Sequence, residues 1–195
     1  MVTYANTVYF VTGNIHKYKE VSENFNNELP SYHVEQQDIK TTEIQAQTLL
    51  DVASFKIKSI KENLDSSFFI EDAGFFVDNP LRGFPGVYSS YVLRTIGNEG
   101  ILRLIEDFKS SEAHFSSVIA LYFKPRKEFF FFEGKVEGRV SETIRGKGGF
   151  GFDPIFIPNS IPDKTFAEIS TTQKNKISHR GQAIRKLTQF LKKNE

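Results

Sequence analysis

Apolar residues recur along this chain with two different periods. Val8–Thr12 is a short apolar run of the kind that becomes a buried strand. Gly13-Asn14 reads as a turn. Ile15, Tyr18, Val21 and Phe25 then follow at helical spacing until Pro30 ends the element. Residues 32–39 read as a second strand. From Glu43 onward, Leu49, Leu50, Ala53, Ile57, Ile60 and Leu64 mark one face of a long amphipathic helix. Phe68–Asp72 and Phe75–Asp78 are strand-like and hinged at Gly74, and the breaker-rich "NPLRGFPG" (79–86) is a loop. A helical pattern returns over residues 98–108. Phe115–Phe123 and Glu128–Val140 look like long antiparallel strands. "RGKGGFGFDP" (145–154) is a glycine loop, and Ser178 caps a last helix that carries Ile184, Leu187 and Leu191 on one face. Strands and helices alternate early and strands cluster in the middle, with no repeat, low-complexity tract or linker. The pattern predicts an α/β fold with a mixed sheet.

Composition narrows the function classes. The chain has 195 residues, 39% apolar and 25% charged, enough for one domain or two lobes around a shared sheet. A formal net charge of +1 argues against a nucleic-acid coat or a polybasic membrane anchor. The absence of cysteine excludes disulfides, thiol nucleophiles and Cys-ligated zinc. "MVTYANTVYFVTGN" at the N-terminus has no basic flank and only a short apolar stretch, so it does not read as a signal peptide. No run approaches the ~20 apolar residues of a membrane span.

Four stretches carry candidate chemistry. "TGNIHK" (12–17) joins a strand to a helix. Its backbone N–H groups, Thr12, Asn14 and Lys17 suit an anion, although an ordinary helix cap by Asn14 explains the same residues. "GKGGFG" (146–151) matches G-x-G-x-x-G, but "FDPIFIP" follows it where a dinucleotide fingerprint needs a helix. What remains is a loop in which Phe150 and Phe152 could stack on a flat base, or simply enter the core. In "KNKISHRG" (174–181), Lys174 and Lys176 precede, and His179 and Arg180 occupy, the first turn of the last helix. Cations there oppose the macrodipole by about 0.3–1 kcal/mol each, a penalty an anionic ligand would remove. "FFIEDAGFF" (68–76) sets Glu71 and Asp72 in an apolar strand, on opposite faces because successive side chains alternate. Asp72 together with Glu43 would make a typical Mg2+ site with substrate phosphate oxygens; the plain alternative is an Asp72 ion pair with Arg82 or a nearby lysine. On this reading Asp72 is the site residue, Glu71 is turned away, and Gly74 lets the chain leave.

"TGNIHK", "EDAG", "GFPG", "GFGFDPIF", "TFAE" and "KNKISHR", in this order, resemble the Ham1-like inosine/xanthosine triphosphate pyrophosphatases from about Val8 to Arg180, the archaeal members most of all. The resemblance implies one domain over residues 1–195, with two lobes around an elongated mixed sheet and an active-site cleft between them. It implies Mg2+-dependent hydrolysis of ITP, dITP and XTP to the monophosphate and pyrophosphate, a cytoplasmic homodimer, and no nucleic-acid or membrane partner. By the same resemblance Thr12, Gly13, Asn14, Ile15, His16 and Lys17 cradle phosphates, and Glu43 and Asp72 are metal ligands. Asp72 also matches the proton acceptor for the attacking water. Phe150, Gly151, Phe152 and Asp153 match the base loop, and Lys174, His179 and Arg180 the remaining nucleotide contacts, with Lys174 and Lys17 facing the leaving pyrophosphate. Ala73 stands where Ser or Thr is common, losing a hydroxyl and keeping the backbone N–H. Phe152 stands where Trp or Tyr is common and keeps only the stacking face. Lys56 is the counterpart of a helix lysine in bacterial members. The rival readings are a nucleotide sensor without catalysis and a nucleic-acid binder using Arg185, Lys186, Lys192 and Lys193.

Overall fold

The computed structural model describes residues 6–108 and 111–194, so the first five residues of the N-terminal stretch lie outside it. A sheet of seven strands forms in the order β2-β1-β3-β5-β6-β7, with β4 on the free side of β3. β1 (Asn6–Val11) lies parallel to β2 (Tyr32–Gln37) and to β3 (Phe68–Val77). The other pairings, with β4 (Phe84–Gly86), β5 (Glu112–Phe123), β6 (Glu128–Val140) and β7 (Phe156–Pro158), are antiparallel. The mixed sheet predicted by the hydrophobic pattern is present.

Helices cover both faces. On one face, α1 (Ile15–Glu28) and α6 (His179–Lys192) bury Val21, Phe25, Ile184, Leu187 and Leu191 against Phe69, Ile119 and Leu121. On the other, α2 (Leu49–Ile60) buries Ala53, Ile57 and Ile60 against Ile70, Val118 and Ala120. A third cluster gathers Phe75, Phe115 and Val136 with Val92 of α3 (Ser89–Thr95), Ile101 of α4 (Gly97–Ile105), Phe152, Phe156 and Phe166. Strand alternation puts Phe69, Glu71, Ala73 and Phe75 on one face. Cross-strand register adds Ile119, Ser117 and Phe115, then Phe132, Gly134 and Val136. The first and third clusters therefore share a face, separated by the strip Glu71, Ala73, Ser117 and Gly134.

Several elements differ from the sequence reading. The long helix starts at Leu49, not near Glu43. Thr48 caps it by accepting the Asp51 N–H at 3.1 Å, and Glu43 lies in the irregular stretch before it. Leu64 falls beyond a 3-10 turn at Lys61–Asn63. β3 runs unbroken through Gly74. The glycine is needed for close approach instead, because a Cβ there would sit 2.6 Å from the Gly86 carbonyl oxygen of β4. The loop 79–86 thus ends in a strand, the helix read over 98–108 is α4, and α3 just before it was not read. A further helix, α5 (Thr171–Ile177), precedes Ser178.

Candidate active site

β1 and β2 are parallel neighbours whose outgoing chains leave on opposite faces, one into α1 and the other into α2. Such a switch point opens a crevice at the carboxyl ends of the strands. β1 pairs with β3 only at Phe68 and Phe69, and β4 takes up pairing at Phe75. Among the described residues, Glu71 to Gly74 therefore line a gap in the sheet on that side of β3. Glu71 and Asp72 project from this gap to opposite faces.

At the mouth of the gap, Asn14 caps α1. Its Oδ1 accepts the backbone N–H groups of His16 (3.0 Å) and Lys17 (3.2 Å), and Thr12 Oγ1 accepts the Asn14 N–H at 3.1 Å. Both side chains act as acceptors in this cap, which leaves the Thr12 hydroxyl and the Asn14 amide as donors for a ligand. The helix cap and the anion site are thus the same structure. Gly13 and Ile15 are exposed beside it. Lys17 reaches across the gap, with Nζ 2.8 Å from Glu71 Oε2 and donating to the Glu71 carbonyl at 3.1 Å.

On the α2 face, Lys56 Nζ donates to Asp72 Oδ1 at 3.0 Å and lies 3.6 Å from Glu43 Oε1. The two carboxylates share one cation although Glu43 lies outside the helix. Burial works to lower the Lys56 pKa, but Asp72 and Glu43 outweigh it and hold the ammonium above its usual range. Asp72 Oδ2 is buried without a hydrogen-bond partner among the described residues. An unpartnered carboxylate oxygen beside a second acid suits a hard divalent cation that keeps waters and phosphate oxygens as its other ligands. No group of three or more metal-ligating side chains gathers among the described residues. Asp72 and Glu43 fit Mg2+.

On the α6 face the charges form an alternating chain. Asp153 Oδ2 meets Lys174 at 2.6 Å, and Lys174 meets Glu20 Oε1 at 2.7 Å. Glu20 Oε2 meets Arg180 Nη1 at 2.5 Å, Arg180 meets Glu71 Oε1 at 3.1 Å, and Glu71 meets Lys17. All but Lys17 are at most 5% exposed. Three carboxylates balance three cations, which is what makes such burial tolerable. Burial works to raise the Glu71 pKa, but Arg180 and Lys17 overcome it and hold the carboxyl down at about 2. For Asp153 burial prevails over Lys174 and the Phe150 N–H, and its pKa lies above the usual range. Burial, then Arg180, push His179 well below its usual value, so the ring is neutral. It stacks on Phe115 at 4.8 Å with Nδ1 unpartnered among the described residues.

The glycine loop closes over this chain. Asp153 accepts the Phe150 N–H at 2.8 Å, and Asn98 of α4 donates to the Gly151 carbonyl at 3.1 Å. The Phe150 ring lies against Lys174 (4.8 Å), Arg180 (5.3 Å) and the His16 ring (5.5 Å), joining the loop to the first turn of α1. Phe152 does not face the site. Its ring is 3% exposed and stacks on Phe75 in the core, so its contribution to a ligand is limited to backbone.

The Ham1 family profile matches residues 8–190. The chain belongs to the Ham1 family. It is 47% identical over 185 residues to a dITP/XTP pyrophosphatase of Thermococcus kodakarensis, covering 95% of this chain and 97% of that protein. It is 44% identical over 189 residues to one of Pyrococcus horikoshii, covering 96% and 97%. The solved Ham1 protein of Staphylococcus aureus superposes with a TM-score of 0.81 at 29% identity, covering 97% of this chain and all of that one.

In this Ham1 protein the sequence-predicted residues fall into two groups on either side of β3. Glu43 and Asp72 meet through Lys56; Lys17, Lys174, Asp153 and Arg180 are joined through Glu20 and Glu71, with the Phe150 ring on Lys174, Arg180 and His16, and His179 stacked on Phe115. Lys174 and Lys176 precede α6, as read, and lie in the last turn of the unread α5, where the macrodipole favours them. Arg180 does sit at a helix start, and carboxylates of this chain, Glu20 and Glu71, balance it. Glu71 is turned away from the Asp72 side, as read, and on its own face it is a buried acid paired with Arg180 and Lys17. Glu20 escaped the sequence reading because a lone glutamate on a helix resembles a solvated one. Its spacing of three from Lys17 was no guide, since Lys17 pairs with Glu71 and Glu20 with the distant Lys174 and Arg180. A separate open cavity of about 1170 Å³, lined by residues such as Arg103, Glu112, Glu137 and Arg139, holds none of the predicted site residues.

Proposed function

We propose that this protein hydrolyses non-canonical purine nucleoside triphosphates, dITP, ITP and XTP, to the monophosphate and pyrophosphate, and so clears them from the nucleotide pool. The observation that carries this reading is the pairing of Asp72 and Glu43 at the sheet gap opposite the Asn14-capped turn and Lys17. The relatives named dITP/XTP pyrophosphatase support the substrate class. Asp72 and Glu43 would hold Mg2+, which when bound neutralises triphosphate charge.

This chain's own groups do the rest. Thr12, Asn14 and Lys17 bind phosphate oxygens, and Lys17 leaves Glu71 to do so. Asp72, in reach of the gap, takes the proton of the attacking water. Phe150 stacks on the base, with Arg180 and neutral His179 presenting donors to its 6-oxo group, where adenine would bring an amine. Lys174, pinned beneath Phe150 between Glu20 and Asp153, belongs to the base end in this reading rather than to the leaving pyrophosphate. The Ala73 N–H replaces the hydroxyl common at that position.

A pyrophosphate-release assay on dITP, ITP, XTP, GTP and ATP, with and without Mg2+, tests the reading. Equal rates on all five would sink it. Asp72→Asn should lose turnover by at least about a hundredfold while melting as the parent does; near-normal release would remove Asp72 from its role. A sensor without catalysis would bind dITP and release nothing in the wild type. The same reading includes a cytoplasmic homodimer, for which light scattering should give twice the chain mass.

A further inference from the structure

The glycine loop is fastened to the rest of the chain at several points, and one of them comes from outside the site. Gly148 donates its N–H to the Ala167 carbonyl at 3.0 Å, and the loop ends meet where the Arg145 N–H donates to the Pro154 carbonyl at 2.9 Å. Phe150 to Asp153 form a tight turn, closed by the Asp153 N–H on the Phe150 carbonyl at 3.2 Å. Gly151 at φ +67° and Phe152 at φ −90°, ψ 7° have the form of a type II′ turn with glycine first. The carbonyl of its central peptide belongs to Gly151, and the Asn98 amide of α4 donates to it at 3.1 Å. We propose that Asn98 is a positioning residue for the nucleotide site, holding that peptide and with it the Phe150 ring in the pose used for stacking. The inference rests on the nucleotide reading above.

Among the described residues this is the one hydrogen bond from α3 or α4 to the loop. It comes with a penalty, because Asn98 Oδ1 is buried without a partner among the described residues. Turning the amide over would set that oxygen against the Gly151 carbonyl, so the donor orientation is fixed and the orphan oxygen goes with it. Leu93, Ile96 and Ile144 share an open hollow with Asn98, and a leucine at position 98 would suit them without stranding a polar atom. An amide kept there at a cost to folding points to a use, and the Gly151 carbonyl is the group it serves. The lever is short. A peptide unit is planar, so fixing the Gly151 carbonyl also fixes the Phe152 N–H on the opposite side. Phe152 is seated in the core against Phe75, while Phe150, at the other end of the turn, lies on Lys174, Arg180 and the His16 ring. With Asn98 removed, the turn is held from Asp153 and Phe152 alone, and the Phe150 ring can leave the two cations.

The test compares wild type, Asn98→Leu and Asn98→Asp. Melting temperature, kcat and KM on dITP with Mg2+, and hydrogen–deuterium exchange of residues 146–153 without nucleotide are measured on each. Asn98→Leu removes both the donor and the orphan oxygen, so it should melt no lower than the parent. Asn98→Asp keeps the shape but, ionised, cannot donate. In both, KM for dITP should rise roughly 5-fold, the net worth of one hydrogen bond, with kcat little changed. Exchange of the loop amides should quicken by a similar factor while β5 and β6 exchange as in the parent. A contact that only supports the fold would lower the melting temperature and quicken exchange throughout, with KM level. That outcome, or an unchanged KM and loop exchange, overturns the proposal, and Asn98→Asp decides alone if Asn98→Leu does not fold. A wild type that does not turn over dITP overturns the nucleotide reading instead, and the exchange measurement then still decides whether Asn98 holds the loop.

Discussion

Lys56 sets its ammonium between Asp72 and Glu43, at the place a divalent cation would contest. Both carboxylates are compensated as long as it stays, apart from the unpartnered Asp72 Oδ2. Lys56→Met would leave Asp72, whose side chain is only 13% exposed, without its counterion. Breaking a partly buried pair in this way costs on the order of 1–3 kcal/mol. The variant should therefore melt lower than the wild type without Mg2+, and added Mg2+ should raise its melting temperature more than it raises the parent's. An equal Mg2+ shift in both would show that Lys56 does not compete for the site. Residue types at this site were legible in the sequence because an acid inside "FFIEDAGFF" has to be compensated by something. Which partner compensates which acid was not legible, since Lys56, Arg180 and Glu20 are distant from the acids or cations they meet in sequence.

Helix α6 owes its seat to a missing side chain. A Cβ on Gly134 would lie 2.0 Å from the His179 carbonyl oxygen and 2.8 Å from the Ala183 nitrogen, so the first turn of α6 rests directly on β6. Gly134→Ala forces that turn outward, and overpacking of this kind costs about 1–3 kcal/mol. Because His179 and Arg180 ride on the same turn, the variant should lose kcat/KM on dITP as well as stability. Kinetics and thermal melting of one preparation check both, and a variant like the parent in both would refute the seating argument. Elements with a sustained period, such as α1, α6, β5 and β6, were readable because burial writes that period into the sequence. The start of α2 was misplaced because no apolar residue occupies positions 45–48 except Ala46, leaving Thr48 as the real signal. α5 is short, and its apolar content does not announce it. Its Ser170–Gln173 capping box does, once the helix is looked for. β4 is a strand only because β3 lies beside it.

The whole molecule should respond to acid through its buried charges. Folded Glu71 holds off its proton until about pH 2, whereas the unfolded residue binds one near 4.5. Its contribution, roughly 3 kcal/mol, is complete above the higher value and lost as pH falls between the two. Folded His179 resists the proton that its unfolded counterpart accepts near 6.5, so stability also declines as pH drops below that point. Asp153, raised by burial, works in the opposite sense and offsets part of the loss. Calorimetry across pH should show a level melting temperature near neutrality, a decline below about 6.5 and a steeper one below about 4.5. His179→Gln should remove the first slope and keep the second; a flat profile down to pH 4 would contradict the buried charge arrangement. The strip of Glu71, Ala73, Ser117 and Gly134 has a mechanical consequence as well. Elsewhere in the sheet bulky side chains interlock across strands, but these positions are small or charged. They are bridged from outside the sheet instead: the first turn of α6 rests on Gly134, and Glu71 is tied to Arg180 and Lys17. The join between the two apolar clusters on this face therefore holds through ion pairs and helix backbone, not through interlocked side chains.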